Sequence, residues 1–263
     1  MYSAAIVDLD GVVWRGRRLI SENVEALRTL LKKGVKIVFL TNNSTRSRLQ
    51  YAELLSHILD TSVSDESVVN SGYSASVWLR RKHGERRVLV VGMEGLTVEA
   101  HLQGHRVLDY ESWEKAEAVL VGLDRGVTYY KFAAAHKAIV RGALFIATNT
   151  DRSFPVENGT EPGAGALVDL LVSSTGRTPV FDAGKPNRWI LDLALEKIGG
   201  IPTDRIVVIG DRLDTDIEMA SRAGLDSILV LTGITREAPS VGPRGMRVYR
   251  NLMDAVREGI FDL

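Results

Sequence analysis

The sequence predicts an α/β fold built on a mostly parallel sheet. Short apolar runs alternate with helix-period segments from end to end, the pattern of βαβ units. The runs are continuous, as in strands buried on both faces. Polar clusters follow directly on several of them, at the edge where open α/β sheets bind ligands. The first run is residues 4–7. A helix follows, with Ser21 as its expected cap, Val24, Leu27, Leu30 and Leu31 on one face, and Gly34 as its stop. The second strand is expected over 35–40, leading through the polar loop Thr41-Asn42-Asn43-Ser44 into another helix. Further strands are expected at 88–91, 118–121 and 144–147, with helices around Thr97, over 130–140 and over 165–173. The rhythm resumes with a strand at 206–209, a helix near 216–222 and a strand at 227–231. There is no repeat, low-complexity tract or flexible linker, so a second domain would be an insertion joined by short crossings.

Composition narrows the function classes. Of 263 residues, 45% are hydrophobic and 25% charged, ordinary for a globular chain and unlike a disordered one. Lys plus Arg and Asp plus Glu are both 33, and this neutral balance gives no support to nucleic-acid or membrane-surface binding. No cysteine is present, which excludes disulfides, thiolate nucleophiles and zinc–thiolate sites and fits a reducing cytoplasm. Asp8 and Asp10 interrupt the first apolar run and no basic region precedes it, so no signal peptide is expected. No apolar stretch approaches the roughly 18 residues of a membrane span.

Four polar clusters carry the chemistry. Asp8 and Asp10 sit two apart on extended chain, so both carboxylates face one way, and Gly11 permits a tight turn after them. Asp211 and Asp216 form a second acidic group after a second apolar strand. Two such charges about 4 Å apart repel by roughly 4 kcal/mol at an effective dielectric near 20, so a shared site needs a cation. Oxygen ligands without cysteine point to a hard metal, Mg2+ first. Asp214 fits the simpler role of an acid favouring a helix N-terminus. Thr41 and Asn42 offer a hydroxyl and a backbone N–H to an oxyanion. Lys185, before Pro186 at a helix start, adds one fixed positive charge. This inventory suits phosphoryl transfer, where positioning and charge stabilisation carry catalysis.

As a set, Asp8-Leu9-Asp10-Gly11-Val12, Thr41-Asn42, Lys185 and Gly210-Asp211 through Asp216 resemble the four ordered motifs of the haloacid dehalogenase-like superfamily. Thr41-Asn42-Asn43-Ser44-Thr45, Gly122-Leu123-Asp124, Thr148-Asn149, Pro162-Gly163-Ala164-Gly165-Ala166 and Gly184-Lys185-Pro186 resemble its p-nitrophenylphosphatase branch, which also holds phosphoglycolate, pyridoxal phosphate and nucleotide phosphatases. The resemblance implies a Rossmann-like, doubly wound core over 1–80 and 182–263 and an inserted α/β cap over 81–181. It implies a Mg2+-dependent phosphatase acting on small phosphorylated metabolites. Asp8 would attack phosphorus; Asp10 would protonate the leaving oxygen and then activate water. Thr41, Asn42 and Asn43 would hold phosphoryl oxygens, and Lys185 would balance the charge. Asp8, Asp211 and the Asp10 carbonyl would bind the metal, with Asp216 orienting a metal-bound water.

The acid at position 10 separates the chain from dehalogenases, which need no proton donor there, and from P-type pumps, which carry Thr and membrane spans. In the segment 151–155 (DRSFP), which resembles a cap loop facing the site, Phe154 either stacks on an aromatic leaving group or packs within the cap. A His at that position marks pyridoxal phosphatases, so that substrate is disfavoured. Arg152 either meets a carboxylate or second phosphate or is simply solvated. Tyr129 and Tyr130 are expected to pack in the cap, and the five histidines have no metal-ligand spacing. Such a cap can dimerise, which leaves a homodimer as a possible state. Rival readings are a phosphotransferase or mutase and a non-catalytic phosphometabolite binder. A dinucleotide oxidoreductase is disfavoured because no strand is followed by G-x-G-x-x-G.

Overall fold

The computed structural model describes residues 1–156 and 159–261. The chain opens with β1 (Ala4–Val7), a hairpin of β2 (Trp14–Arg15) and β3 (Arg18–Leu19), α1 (Ser21–Lys32), β4 (Lys36–Thr41) and α2 (Arg48–Leu59). β5 (Val68–Asn70) and α3 (Ser71–His83) follow. A second group comprises β6 (Arg87–Val91), α4 (Glu94–Leu102), β7 (Arg106–Val107), β8 (Ala118–Val121), α5 (Tyr129–Arg141) and β9 (Leu144–Ala147). It continues with β10 (Ser153–Val156), β11 (Gly159–Pro162), α6 (Ala164–Thr175) and β12 (Phe181–Asp182). The chain returns with α7 (Arg188–Ile198), β13 (Ile206–Gly210), α8 (Glu218–Ala223), β14 (Asp226–Val230), β15 (Met246–Tyr249) and α9 (Leu252–Arg257).

Two parallel sheets result, one of six strands in the order β15-β14-β13-β1-β4-β5 and one of five in the order β12-β9-β8-β6-β7. Their strands are apolar on both sides because helices cover both faces. Ala5 and Val7 of β1 enter one hydrophobic cluster while Ala4 and Ile6 enter the opposite one. In β6, Leu89 and Val91 part from Val88 and Val90 in the same way. Each such Val, Leu or Ile contributes about 1.5–3 kcal/mol by leaving water.

The expected strands and helices recur with small shifts. Ser21 is not the cap of α1: Ile20 holds that position, and no side chain caps the helix. Ile20 donates its N–H to the Val13 carbonyl and accepts from Asn23 and Val24, so the chain turns into the helix one residue early. The second strand runs one residue later than expected because Thr41 pairs with Asn70 of β5. The helix expected near 216–222 begins as a π-helical turn over Leu213–Ile217 before α8.

The two sheets are joined by close contacts as well as by chain. The buried Arg48 guanidinium of α2 lies 3.2 Å from the fully buried Glu99 of α4. Gly95 packs so tightly on the Arg46 backbone that a Cβ there would come within 2.2 Å of the Arg46 carbonyl carbon. His105 ties α3 to the second sheet, its Nδ1 accepting from the Arg86 N–H at 3.2 Å and its Nε2 facing the Ser76 carbonyl at 3.0 Å. Burial first, then the nearby Arg80 and Arg86 charges, hold the ring's pKa below its ordinary value, against the Ser76 carbonyl.

With the folded pKa lowered, the unfolded chain takes up a proton below about pH 6.5 that the folded ring refuses, so stability falls with pH from there by at most ~1.4 kcal/mol per unit. His105→Asn should remove that part of the slope. Urea unfolding of both proteins at about pH 7.5 and about pH 5.5 checks this, and equal losses in the two would contradict it.

Candidate active site

β13, β1 and β4 are parallel neighbours, so their carboxyl ends share one edge. Asp8 follows β1, Thr41 ends β4, and Asp211 follows β13. Lys185 reaches the same point from the turn between β12 and α7. Its Nζ donates to Asp8 Oδ1 at 2.8 Å, to Asp216 Oδ1 at 2.7 Å and to the Leu40 carbonyl at 3.4 Å. Burial and then Asp216 push the Asp8 carboxyl well above the usual range, with Asp211 adding to this and Lys185 opposing it. Burial alone would lower the Lys185 ammonium, but Asp216 and Asp8 outweigh it and the pKa rises. Burial and Asp216 carry Asp211 up to about 7.

Asp8, Asp211 and Asp216 each bring one carboxylate oxygen within 4.8 Å of the others. Asp211 Oδ2 accepts from the Ile234 N–H at 2.6 Å, whereas its Oδ1 is buried without a hydrogen-bond partner among the described residues. An orphaned carboxylate oxygen beside two further acids is the donor set of a hard divalent cation. The backbone is shaped to Asp211. Gly11, at φ +88°, would bring a Cβ within 2.3 Å of its Oδ2, and Gly233 would bring one within 1.9 Å.

Asp10 opens on a cleft of about 1020 Å³ between the two sheets. Its Oδ1 accepts from the Trp14 indole N–H at 2.9 Å. The surrounding protein raises its pKa; the Trp14 bond, the Lys185 charge, the Asn43 amide and the Arg46 charge pull the other way. Trp14 is itself held in a stack on Tyr51, ring centroids 6.5 Å apart.

Thr41 Oγ1 accepts from the Asn43 N–H at 3.1 Å, which leaves the hydroxyl hydrogen to donate into the cleft. The Asn42 side chain is a clamp: it accepts from the Lys185 N–H at 2.6 Å and donates to Asp151 Oδ2 at 2.9 Å and the Lys185 carbonyl at 3.2 Å. Asn43 Oδ1 is likewise taken, by the Thr45 N–H and hydroxyl. Oxyanion donation from these two residues therefore falls to the Asn42 backbone N–H and the Asn43 side-chain NH2.

Phe154 lines the cleft beneath the Arg125 guanidinium, 5.3 Å from its ring centroid. Arg152 does not line it. This arginine lies just before β10, its side chain is 85% exposed, and it pairs outward with Asp169 of α6 at 3.5 Å. Asp214 pairs outward with Arg212. Tyr129 is 88% exposed and does not pack in the second unit; Tyr130 meets Tyr110 edge-on. Sequence reading passed over Trp14, Arg46, Arg125 and Asp151. Asp151 joins the second unit to the first through Arg212 at 3.3 Å as well as Asn42. Trp14 alone carried a local signal, four residues after Asp10 in the same turn.

These acids, the lysine and the α/β frame define the class. Residues 5–106 match the family described as haloacid dehalogenase-like hydrolase, and residues 182–255 match a second HAD-hydrolase-like family. Phosphoglycolate phosphatase 2 of Arabidopsis thaliana is 35% identical over 254 residues, covering 89% of this chain and 84% of the relative. The p-nitrophenyl phosphatase from Archaeoglobus fulgidus superposes with a TM-score of 0.87 at 34% identity, covering 98% of this chain and 99% of that one. Glycerol phosphate phosphatase of Mycobacterium tuberculosis, solved in complex with calcium, gives 0.82 at 34% identity over 96% of this chain and 74% of that one. The chain belongs to the haloacid dehalogenase-like hydrolases, in their p-nitrophenylphosphatase and phosphoglycolate phosphatase branch.

If the acid cluster is a cation site, Mg2+ should raise the melting temperature of the wild type by ~2–4 °C at saturating concentration. Asp211→Asn should melt higher than wild type without metal, since it removes one repelling charge, and should gain nothing from Mg2+. Equal gains in the two proteins, read by differential scanning fluorimetry, would sink the assignment.

Proposed function

We propose that this phosphatase hydrolyses small phosphomonoesters with Mg2+ through an aspartyl-phosphate on Asp8. The observation that carries the reading is the Lys185 ammonium 2.8 Å from Asp8 Oδ1 at the floor of a cleft. The lysine draws the nucleophile toward its charged form while a phosphate approaches the same end of β1. An Asp8 oxygen attacks phosphorus, the ester P–O bond breaks, and Asp10 gives its proton to the departing oxygen. Water then attacks the phosphorus of the acyl phosphate and yields a proton to Asp10, releasing inorganic phosphate and the Asp8 carboxylate.

The Thr41 hydroxyl, the Asn42 backbone N–H, the Asn43 side-chain amide and Lys185 stabilise the phosphoryl oxygens. Asp8, Asp211 and the Asp10 carbonyl are the proposed metal ligands. Asp216, already bound to Lys185, would stand beside that metal and orient a water there. Mg2+ supplies positive charge against the phosphate and the three acids. An acid at position 10, lining the cleft, favours a hydrolase over a binder, which has no use for a proton donor there. In this reading 1–80 and 182–263 form the catalytic core and 81–181 the cap, a division supported by the two separate sheets. A cytoplasmic location is part of the proposal, supported by the absence of cysteine. Among the described residues no helix is long and apolar enough to cross a membrane.

Release of nitrophenol from p-nitrophenyl phosphate should require Mg2+ and fall by at least ~1000-fold in Asp8→Asn. Undiminished activity in that variant would remove Asp8 as nucleophile, and dependence on an added sugar acceptor would favour a phosphotransferase.

Trp14→Phe should slow alkyl phosphates by about 10- to 100-fold and p-nitrophenyl phosphate far less, because nitrophenolate leaves without a proton from Asp10. A uniform loss on both substrate types would assign Trp14 to packing only.

A further inference from the structure

The cleft holds more positive charge than phosphate and metal chemistry use. Seven cationic side chains line it against five carboxylates. Ion pairs occupy three of the cations: Lys185 with Asp8, Arg212 with Asp151, and Arg125 with Glu161 at 3.9 Å. Among the described residues Arg15, Arg17, Arg46 and Arg236 line the same cleft with no carboxylate paired to them. These four lining cations are left for a substrate's leaving group to meet.

Arg46 is the best placed of the four. Its charge acts on both Asp10 and Tyr51, so it lies on the side of the cleft where the ester oxygen departs. Its backbone is pinned from two directions, by the Asn70 amide donating to its carbonyl at 2.9 Å and by Gly95 of α4 packed against it. A fixed backbone sets the point from which its guanidinium reaches the cleft. Arg15 and Arg17 approach from the β2–β3 hairpin, whose tip carries Gly16 at φ +60°. A guanidinium presents two parallel N–H donors that match a carboxylate or a phosphate.

We propose that Arg46, assisted by Arg15 and Arg17, forms a subsite for a second anionic group, so that the preferred substrates are phosphomonoesters whose leaving group itself carries a carboxylate or phosphate. The inference rests on the phosphatase reading and deepens it. The names of the relatives leave the matter open, since glycolate is anionic whereas glycerol and nitrophenol as leaving groups lack a second anion.

The test compares kcat/KM for phosphoglycolate, its alcohol counterpart 2-hydroxyethyl phosphate, and ethylene glycol bisphosphate, with p-nitrophenyl phosphate as the activity control. The wild type should prefer the two doubly anionic esters by about 10- to 100-fold, as a charge-assisted hydrogen-bond pair provides. The preference should weaken as salt is raised, because the arginines are exposed. Arg46→Gln should bring the ratio close to one by losing activity on the anionic esters. Arg18→Gln, on the same hairpin but outside the cleft lining, should keep it. The two anionic arms report whether carboxylate or phosphate is the better fit. If Arg46→Gln does not fold, the Arg15→Gln/Arg17→Gln double variant and the salt dependence carry the test. A wild type that hydrolyses p-nitrophenyl phosphate with no preference, or a preference untouched by these variants and by salt, overturns the subsite. A wild type inactive on every ester overturns the phosphatase reading and the subsite with it.

Discussion

Asp8, Asp211 and Asp216 crowd together at the ends of two adjacent strands with Lys185 as the cation bonded to two of them. Three buried carboxylates against one ammonium leave negative charge that protein alone does not neutralise, and burial makes that imbalance costly. Much of the surrounding structure is what such an arrangement demands. The parallel strands β1 and β13 bring the acids to one edge without flexible connections. Gly11 and Gly233 give up side chains so that the backbone can close around Asp211. The Asn42 amide fixes the backbone of Lys185, so the lysine arrives at a defined height above the strand ends. An ensemble of looser geometries would leave one acid or another unpaired, so rigidity here is a condition of folding as well as of chemistry.

The second sheet is bound to this centre on two sides. Asp151 holds it through Asn42 and Arg212, all three lining the cleft that Asp8 and Asp211 also line. Glu99 and Gly95 hold it through Arg48 and the Arg46 backbone. Breaking a buried pair such as Arg48–Glu99 leaves a charge without a partner, which costs about 3–5 kcal/mol. The side chains proposed to meet the leaving group, Phe154 with Arg125 from one unit and Arg46 from the other, are therefore kept in register with the acids proposed to cut the ester bond. In that reading chemistry and selection come from different segments of the chain but share the same clamps.

Local pattern alone was enough for the strand and helix order, the acids after β1 and β13, the Thr41 loop and Lys185, because each rests on residues adjacent in the chain. Buried strands need continuous apolar runs, and an acid at a strand end needs a reason to be there. The local reading erred where a neighbour outside the segment intervened: Ser21 lost the cap position because Ile20 is tied to Val13, and Arg152 lost the cleft because it pairs outward with Asp169 of α6. Tertiary structure alone decided which acids share a centre, that among the described residues Asp211 keeps one oxygen without a partner, and that Arg46, with no carboxylate paired to it among those residues, lies beside Asp10. Those are relations of distance and charge between groups up to two hundred residues apart, and no periodicity or spacing along a chain encodes them.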